Sequence, residues 1–177
     1  ISTCGHTLLQ LAPSGRLATI AGGTEEDEDG DEIGGFENGK GTRARFSTPC
    51  GITVDRAGSV VVTDVENHAL RMVSTAGATV STLVGNGEEG SADGQGEAAR
   101  FDEPHDVVLA ANGDMLVSND HAIRVVTPGG AVRTLAGSGE PGFADGQGAA
   151  ASFNEPTGLA LDADGSVLVV NSGNHVI

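Results

Sequence analysis

The sequence predicts an all-β fold, a partial β-propeller of four-stranded antiparallel blades, two complete and two partial. Three observations predict it. First, the chain repeats itself. Gly85, Asp93, Gly94, Phe101 and Pro104 recur as Gly137, Asp145, Gly146, Phe153 and Pro156 at an offset of 52, and Phe46 and Pro49 precede Phe101 and Pro104 by 55. A unit of this period marks a solenoid, propeller or array, because each copy buries its apolar face only against a neighbour. Second, apolar runs within a unit are short, rich in Val, Ile and Thr, and bounded by Gly, Asn or Asp, which is strand and turn chemistry. Third, no window keeps apolar residues at helical spacing for three turns without a glycine interrupting it.

The elements follow in order. Residues 1–22 read as the end of a blade, since Gly5-His6-Thr7-Leu8 falls on Asp120-His121-Ala122-Ile123 at an offset of 115. Residues 23–45 are an acidic inter-blade loop; Gly22 to Gly35 spans thirteen positions where Gly85 to Gly90 spans five. Residues 46–85 form a blade with strands near 52–55, 59–63, 68–73 and 79–84, and turns at Arg56-Ala57-Gly58 and Ser74 to Gly77. Residues 86–100 are a glycine-rich loop, 101–137 a second blade, 138–152 another loop, and 153–177 the start of a further blade. The Gly-x-Gly-x-x-Gly at 85–90 is not a dinucleotide fingerprint: no helix follows it, and Glu88 and Glu89 repel a pyrophosphate. Its glycines serve the crossing between blades, with Asp93 and Asp145 expected to accept backbone N–H groups there. Phe46, Phe101 and Phe153, each three residues before a proline, are expected to plug the gaps between sheets, with Phe36 and Phe143 adding to the core.

Two further patterns carry a resemblance. Asn67-His68-Ala69-Leu70-Arg71 recurs as Asn174-His175-Val176-Ile177, with a shortened Asp120-His121-Ala122-Ile123-Arg124. Pro49-Cys50-Gly51-Ile52-Thr53-Val54-Asp55 recurs as Pro156-Thr157-Gly158-Leu159-Ala160-Leu161-Asp162. These resemble NHL repeats, a family of β-propeller blades. The resemblance covers nearly the whole chain and is specific for fold rather than activity. It implies six blades, which at this period need roughly 300 residues. The chain therefore reads as a piece of a longer propeller, and an open arc with unpaired edges is expected to associate with copies of itself.

The chain holds 25 acidic and nine basic side chains, a formal charge of −16. That balance argues against nucleic acid, whose phosphates call for clustered cations, and the absence of Trp and Tyr removes stacking platforms. No apolar run approaches the roughly 18–20 residues of a membrane span. The expected partner is another protein chain, one with basic patches. No catalytic residue and no organic cofactor is assigned.

Three sets of residues could still carry chemistry. Asp27, Asp29 and Asp31 alternate around Gly30 and could hold Ca²⁺, although the spacing is not that of an EF-hand; the alternative is a solvated acidic loop. Cys4 and Cys50 lie in loops that leave the same face of a propeller, so a disulfide between neighbouring blades is geometrically allowed, with two thiols as the alternative. A cystine would place the chain in an oxidising, extracellular or cell-surface setting. The recurring histidines at positions 6, 68, 121 and 175 are expected to bond the turn before each third strand. His105 and Asp106 face the channel. Similar propeller lyases hold a metal there with several histidines, more than this segment offers. The leading reading is a non-catalytic interaction or scaffold module displaying the acidic insertion, the glycine-rich crossings and Asp64, Asn119 and Asn171 on one face. The alternatives are a metal-dependent lyase or lactonase-type propeller and a structural unit of a large surface assembly.

Overall fold

A computed structural model describes residues 5–23, 25–26, 32–74 and 76–177. Among them the regular elements are sixteen β-strands and five short 3₁₀ turns. The strands are β1 (Leu8–Leu11), β2 (Leu17–Ala21), β3 (Glu25–Glu26), β4 (Glu32–Ile33), β5 (Gly39–Lys40), β6 (Pro49–Val54), β7 (Val60–Asp64) and β8 (Ala69–Val73). They continue as β9 (Thr79–Val84), β10 (Gly94–Gln95), β11 (Pro104–Leu109), β12 (Met115–Asn119), β13 (Ala122–Val126), β14 (Ala131–Ala136), β15 (Pro156–Leu161) and β16 (Val167–Asn171). Two blades are complete, ordered β5-β9-β8-β7-β6 and β10-β14-β13-β12-β11. Each is an antiparallel four-stranded meander. The inter-blade loop adds a two-residue fifth strand at its outer edge, β5 or β10, that the sequence does not announce. The pairs β1-β2 and β15-β16 are half-blades at the two ends of the arc.

The central strands β12 and β13 are buried at every position, which is why they read as apolar runs and not as alternation. A sheet covered on both faces has no solvent side to encode. The cores lie between blades. Phe46, Val62, Val73 and Val80 pack against Leu8 and Ala21 of the preceding half-blade. Phe101, Val107, Met115 and Val117 pack against Val61, Leu70 and Val84. Leu116, Ile123 and Val125 pack against Leu159. Phe46 and Phe101 are fully buried, each stabilising by about 2–3 kcal/mol. Phe36 and Phe143 correct the expectation of core residues: they are 38% and 69% exposed. They sit in loops outside the sheet stack, where no second sheet closes over them.

Where the chain crosses from β9 to the next blade, Gly85 takes φ +88, and a Cβ there would lie 2.5 Å from the His68 carbonyl oxygen. Only glycine meets both conditions.

Candidate functional site

The inner strands β6, β11 and β15 start side by side. Their first residues Cys50, Gly51, His105, Asp106, Thr157 and Gly158 line a concavity of about 320 Å³. Pro49 pairs with Asp64, Pro104 with Asn119 and Pro156 with Asn171. This register brings the loop into each inner strand and the loop after each second strand to the same end of the molecule.

Most polar groups at this mouth hold blades together. Asp106 accepts from Val107 N and, across the blade boundary, from Leu159 N, both at 2.8 Å. The Thr63 hydroxyl accepts from Gly51 N at 2.7 Å and donates to the His105 carbonyl at 2.8 Å. Ser118 does the same one blade later, accepting from Asp106 N at 2.9 Å and donating to the Thr157 carbonyl at 2.6 Å. His105 is half-buried and lines the concavity, and its side chain makes no hydrogen bond among the described residues. Cys50 is exposed beside it. Cys4, and the proposed calcium ligands Asp27, Asp29 and Asp31, lie outside the described residues. Among those described, no group of three His, Cys, Asp or Glu is placed to hold a metal ion.

Around the mouth the surface is acidic. Asp102, Glu103, Asp120 and Glu155 meet at the boundary between the second blade and the next. Burial raises the Asp120 carboxyl above its ordinary range, opposed by His121, whose Nε2 lies 3.2 Å away, and reinforced by the other three carboxylates.

Asp64, Asn119 and Asn171, expected on display, are buried. Each accepts a backbone N–H from the loop entering its own blade: Ser47 at 2.6 Å, Asp102 at 2.9 Å and Asn154 at 2.8 Å. The histidines also differ from expectation. Instead of their own turns they bond the following blade. His6, His68 and His121 accept at Nδ1 from Thr48, Glu103 and Glu155 N, each at 3.3 Å. The three donors share a left-handed backbone, with φ of 53°, 43° and 50°.

Sequence reasoning missed the arginines. Arg71 and Arg124 are fully buried at equivalent places in the third strands. Arg71 bonds Asp64 at 2.7 Å, Asn38 at 2.9 Å and the Glu37 and Arg45 carbonyls, stacked between Phe36 and Phe46. Arg124 bonds Asp93 at 2.8 Å and the Ala92 and Arg100 carbonyls, over Phe101. Asp93 thus serves an arginine rather than turn N–H groups. Each arginine has one carboxylate and one amide position, exchanged between blades: Asp64 with Asn38, then Asn119 with Asp93. The findable signal was that exchange in the aligned repeats.

The NHL repeat family model matches residues 46–71 and 153–177. NHL repeat-containing protein 2 of Gallus gallus is 31% identical over 151 residues, which cover 76% of this chain and 21% of that protein. The chain thus spans about a fifth of that relative's length. Among solved structures, an auxiliary nutrient binding protein from Bacteroides thetaiotaomicron superposes with a TM-score of 0.66 at 19% identity, covering 90% of this chain and 43% of that one. Virginiamycin B lyase from Staphylococcus aureus superposes with a TM-score of 0.56 at 15% identity, covering 96% and 43%.

Proposed function

Because this chain belongs to the NHL-repeat β-propellers, we propose that it is a non-catalytic interaction module whose acidic channel-mouth face docks a basic surface of another protein. The observation that carries this reading is the crowding of Asp102, Glu103, Asp120 and Glu155 at one blade boundary, where burial first, and the neighbouring carboxylates after it, raise Asp120. Like charges held together attract and steer a cationic partner, more strongly at low salt. The test is fluorescence anisotropy with a labelled Lys/Arg-rich peptide. Affinity is expected to weaken as salt rises and to drop in Glu103→Gln/Glu155→Gln. Equal binding of a neutral peptide of the same length sinks the reading.

A second reading is favoured by one specific observation, the His105 imidazole facing the concavity in a fold similar to that of a lyase. In a lyase or lactonase-type enzyme His105 would be the general base at the mouth. Loss of lactone or cyclic-ester turnover in His105→Ala, with unchanged folding, would support it. A third reading is a structural unit of a surface assembly; the extracellular setting leans on the acidic surface and on a Cys4–Cys50 bond. Alkylation without reductant followed by mass spectrometry reads it directly. Ca²⁺ at Asp27, Asp29 and Asp31 remains part of the proposal, tested by calorimetric titration of the chain against Asp29→Asn.

A further inference from the structure

The layer between the two complete blades is packed by Leu70, Val84, Phe101, Val107 and Val117, but one end of it is hollow. There Val61, Met72 and Leu83 of the first blade face Met115 and Pro128 of the second across a cavity of about 300 Å³, with Asp55 and Arg56 also in its lining. Val61 and Met115 are buried to within 2%. Val61 pairs with Met72 across β7 and β8, which turns both side chains to the same face. Val54 pairs with Val60 and Leu109 with Met115, so the turns after β6 and β11 lie at the end opposite the channel mouth. The cavity shares no residue with the acidic face.

One blade later Leu116 and Val125 take the places of Val61 and Met72 and pack against Leu159. The first boundary thus has a shorter side chain on β7 and an unbranched, adaptable thioether on β8. Water in a space lined this way finds few partners, and such cavities take apolar guests.

The opening carries one cation. Arg56 is exposed. It reaches from its turn to the next blade, donates to the Ala111 carbonyl, and lies over Gly113, where an added Cβ would meet its Nε at 3.5 Å. That is its one hydrogen bond among the described residues, and a guanidinium has five donors. The neighbouring acid, Asp55, accepts from Ser59 N at 2.7 Å and so caps its own turn.

We propose that this cavity binds a small amphipathic carboxylate, its hydrocarbon part between Met72 and Met115 and its carboxylate on Arg56. At the roughly 30 Å³ that a water molecule occupies in the liquid, the space takes about ten non-hydrogen atoms, the size of octanoate. The formal charge of −16 opposes anions at long range, and physiological salt confines that repulsion to about 8 Å.

The chain's two methionines both line the cavity. With ¹³C in their methyl groups the chain gives two NMR signals, each reporting on this site. In about 150 mM salt, octanoate below the concentration at which it aggregates is expected to move both signals saturably. Arg56→Gln, an exposed change, should weaken octanoate about threefold, the scale of an exposed ion pair, and leave 1-octanol unaffected. Val61→Phe, which fills the space, should abolish binding of both; if it does not fold, Arg56→Gln decides alone. Signals that stay put or drift without saturating overturn the proposal. So does undiminished binding in folded Val61→Phe. An Arg56→Gln that weakens both probes alike, or neither, overturns the assignment of the carboxylate to Arg56 and leaves a purely apolar site in its place.

Discussion

At the residue scale, the arginine pockets make the sharpest predictions. Asp64→Asn leaves Arg71 buried with amides at both positions, and the expected loss is about 3–5 kcal/mol. Adding Asn38→Asp copies the second blade's arrangement and should recover most of it, measured by urea unfolding of the two variants. Gly51→Ala sets a Cβ 2.5 Å from Asp106 Cα. It should force β6 and β11 apart at a cost of about 1–3 kcal/mol. Two carboxyls shift in opposite directions. The Ser47 hydroxyl, bonded at 2.6 Å, lowers Glu66 below 4.5. Its stabilising contribution is present above 4.5 and fades as pH falls through the lowered folded value. Burial raises Asp64 above 3.8 against its bonds from Asn67, Ser47 and Arg71. Ser47→Ala should therefore flatten the acid loss of stability, read from denaturation midpoints across the acid range.

At the element scale, the joints between blades decide how the strands stay stacked. In His121→Ala, Glu155 N loses its acceptor while its left-handed backbone persists. The expected cost is about 0.5–1.5 kcal/mol, with faster amide exchange localised to Glu155. An equal loss of protection across β12 and β13 would refute the localisation. Strands and turns were legible because their signals are local: Val and Thr runs, glycine after Asp or Asn, and a recurrence that needs no partner to be seen. The joints were not legible in the same way. Periodicity aligns His68 with His121 and Glu103 with Glu155, but nothing in it says which atom of one blade touches which of the next. Asp64 and Asn119 looked like displayed loop residues for the same reason. Each ends an apolar strand run and opens the loop before a third strand, which suggests surface, while their side chains turn inward to hold Ser47 and Asp102.

At the scale of the whole molecule, stability is shared among layers between blades, and charge works against them. With a formal charge of −16, repulsion opposes the compact state. Raising salt from about 10 mM to about 150 mM shortens the screening length from about 30 Å to about 8 Å. The urea midpoint should rise over that range; a flat response would mean that the carboxylates are too far apart to matter. Buried Arg71 and Arg124 went unread because an arginine in an acidic sequence suggests surface, and only the exchange of acid and amide around them says otherwise.

The histidine joints all point forward: His6 holds Thr48, His68 holds Glu103 and His121 holds Glu155. On a ribosome this direction becomes a delay. A blade emerging from the exit tunnel can complete its strands, yet it is secured only when the entry loop of its successor has also been translated. Nascent chains halted just before Glu103 should be digested by protease within the first blade, and chains halted well beyond it should resist.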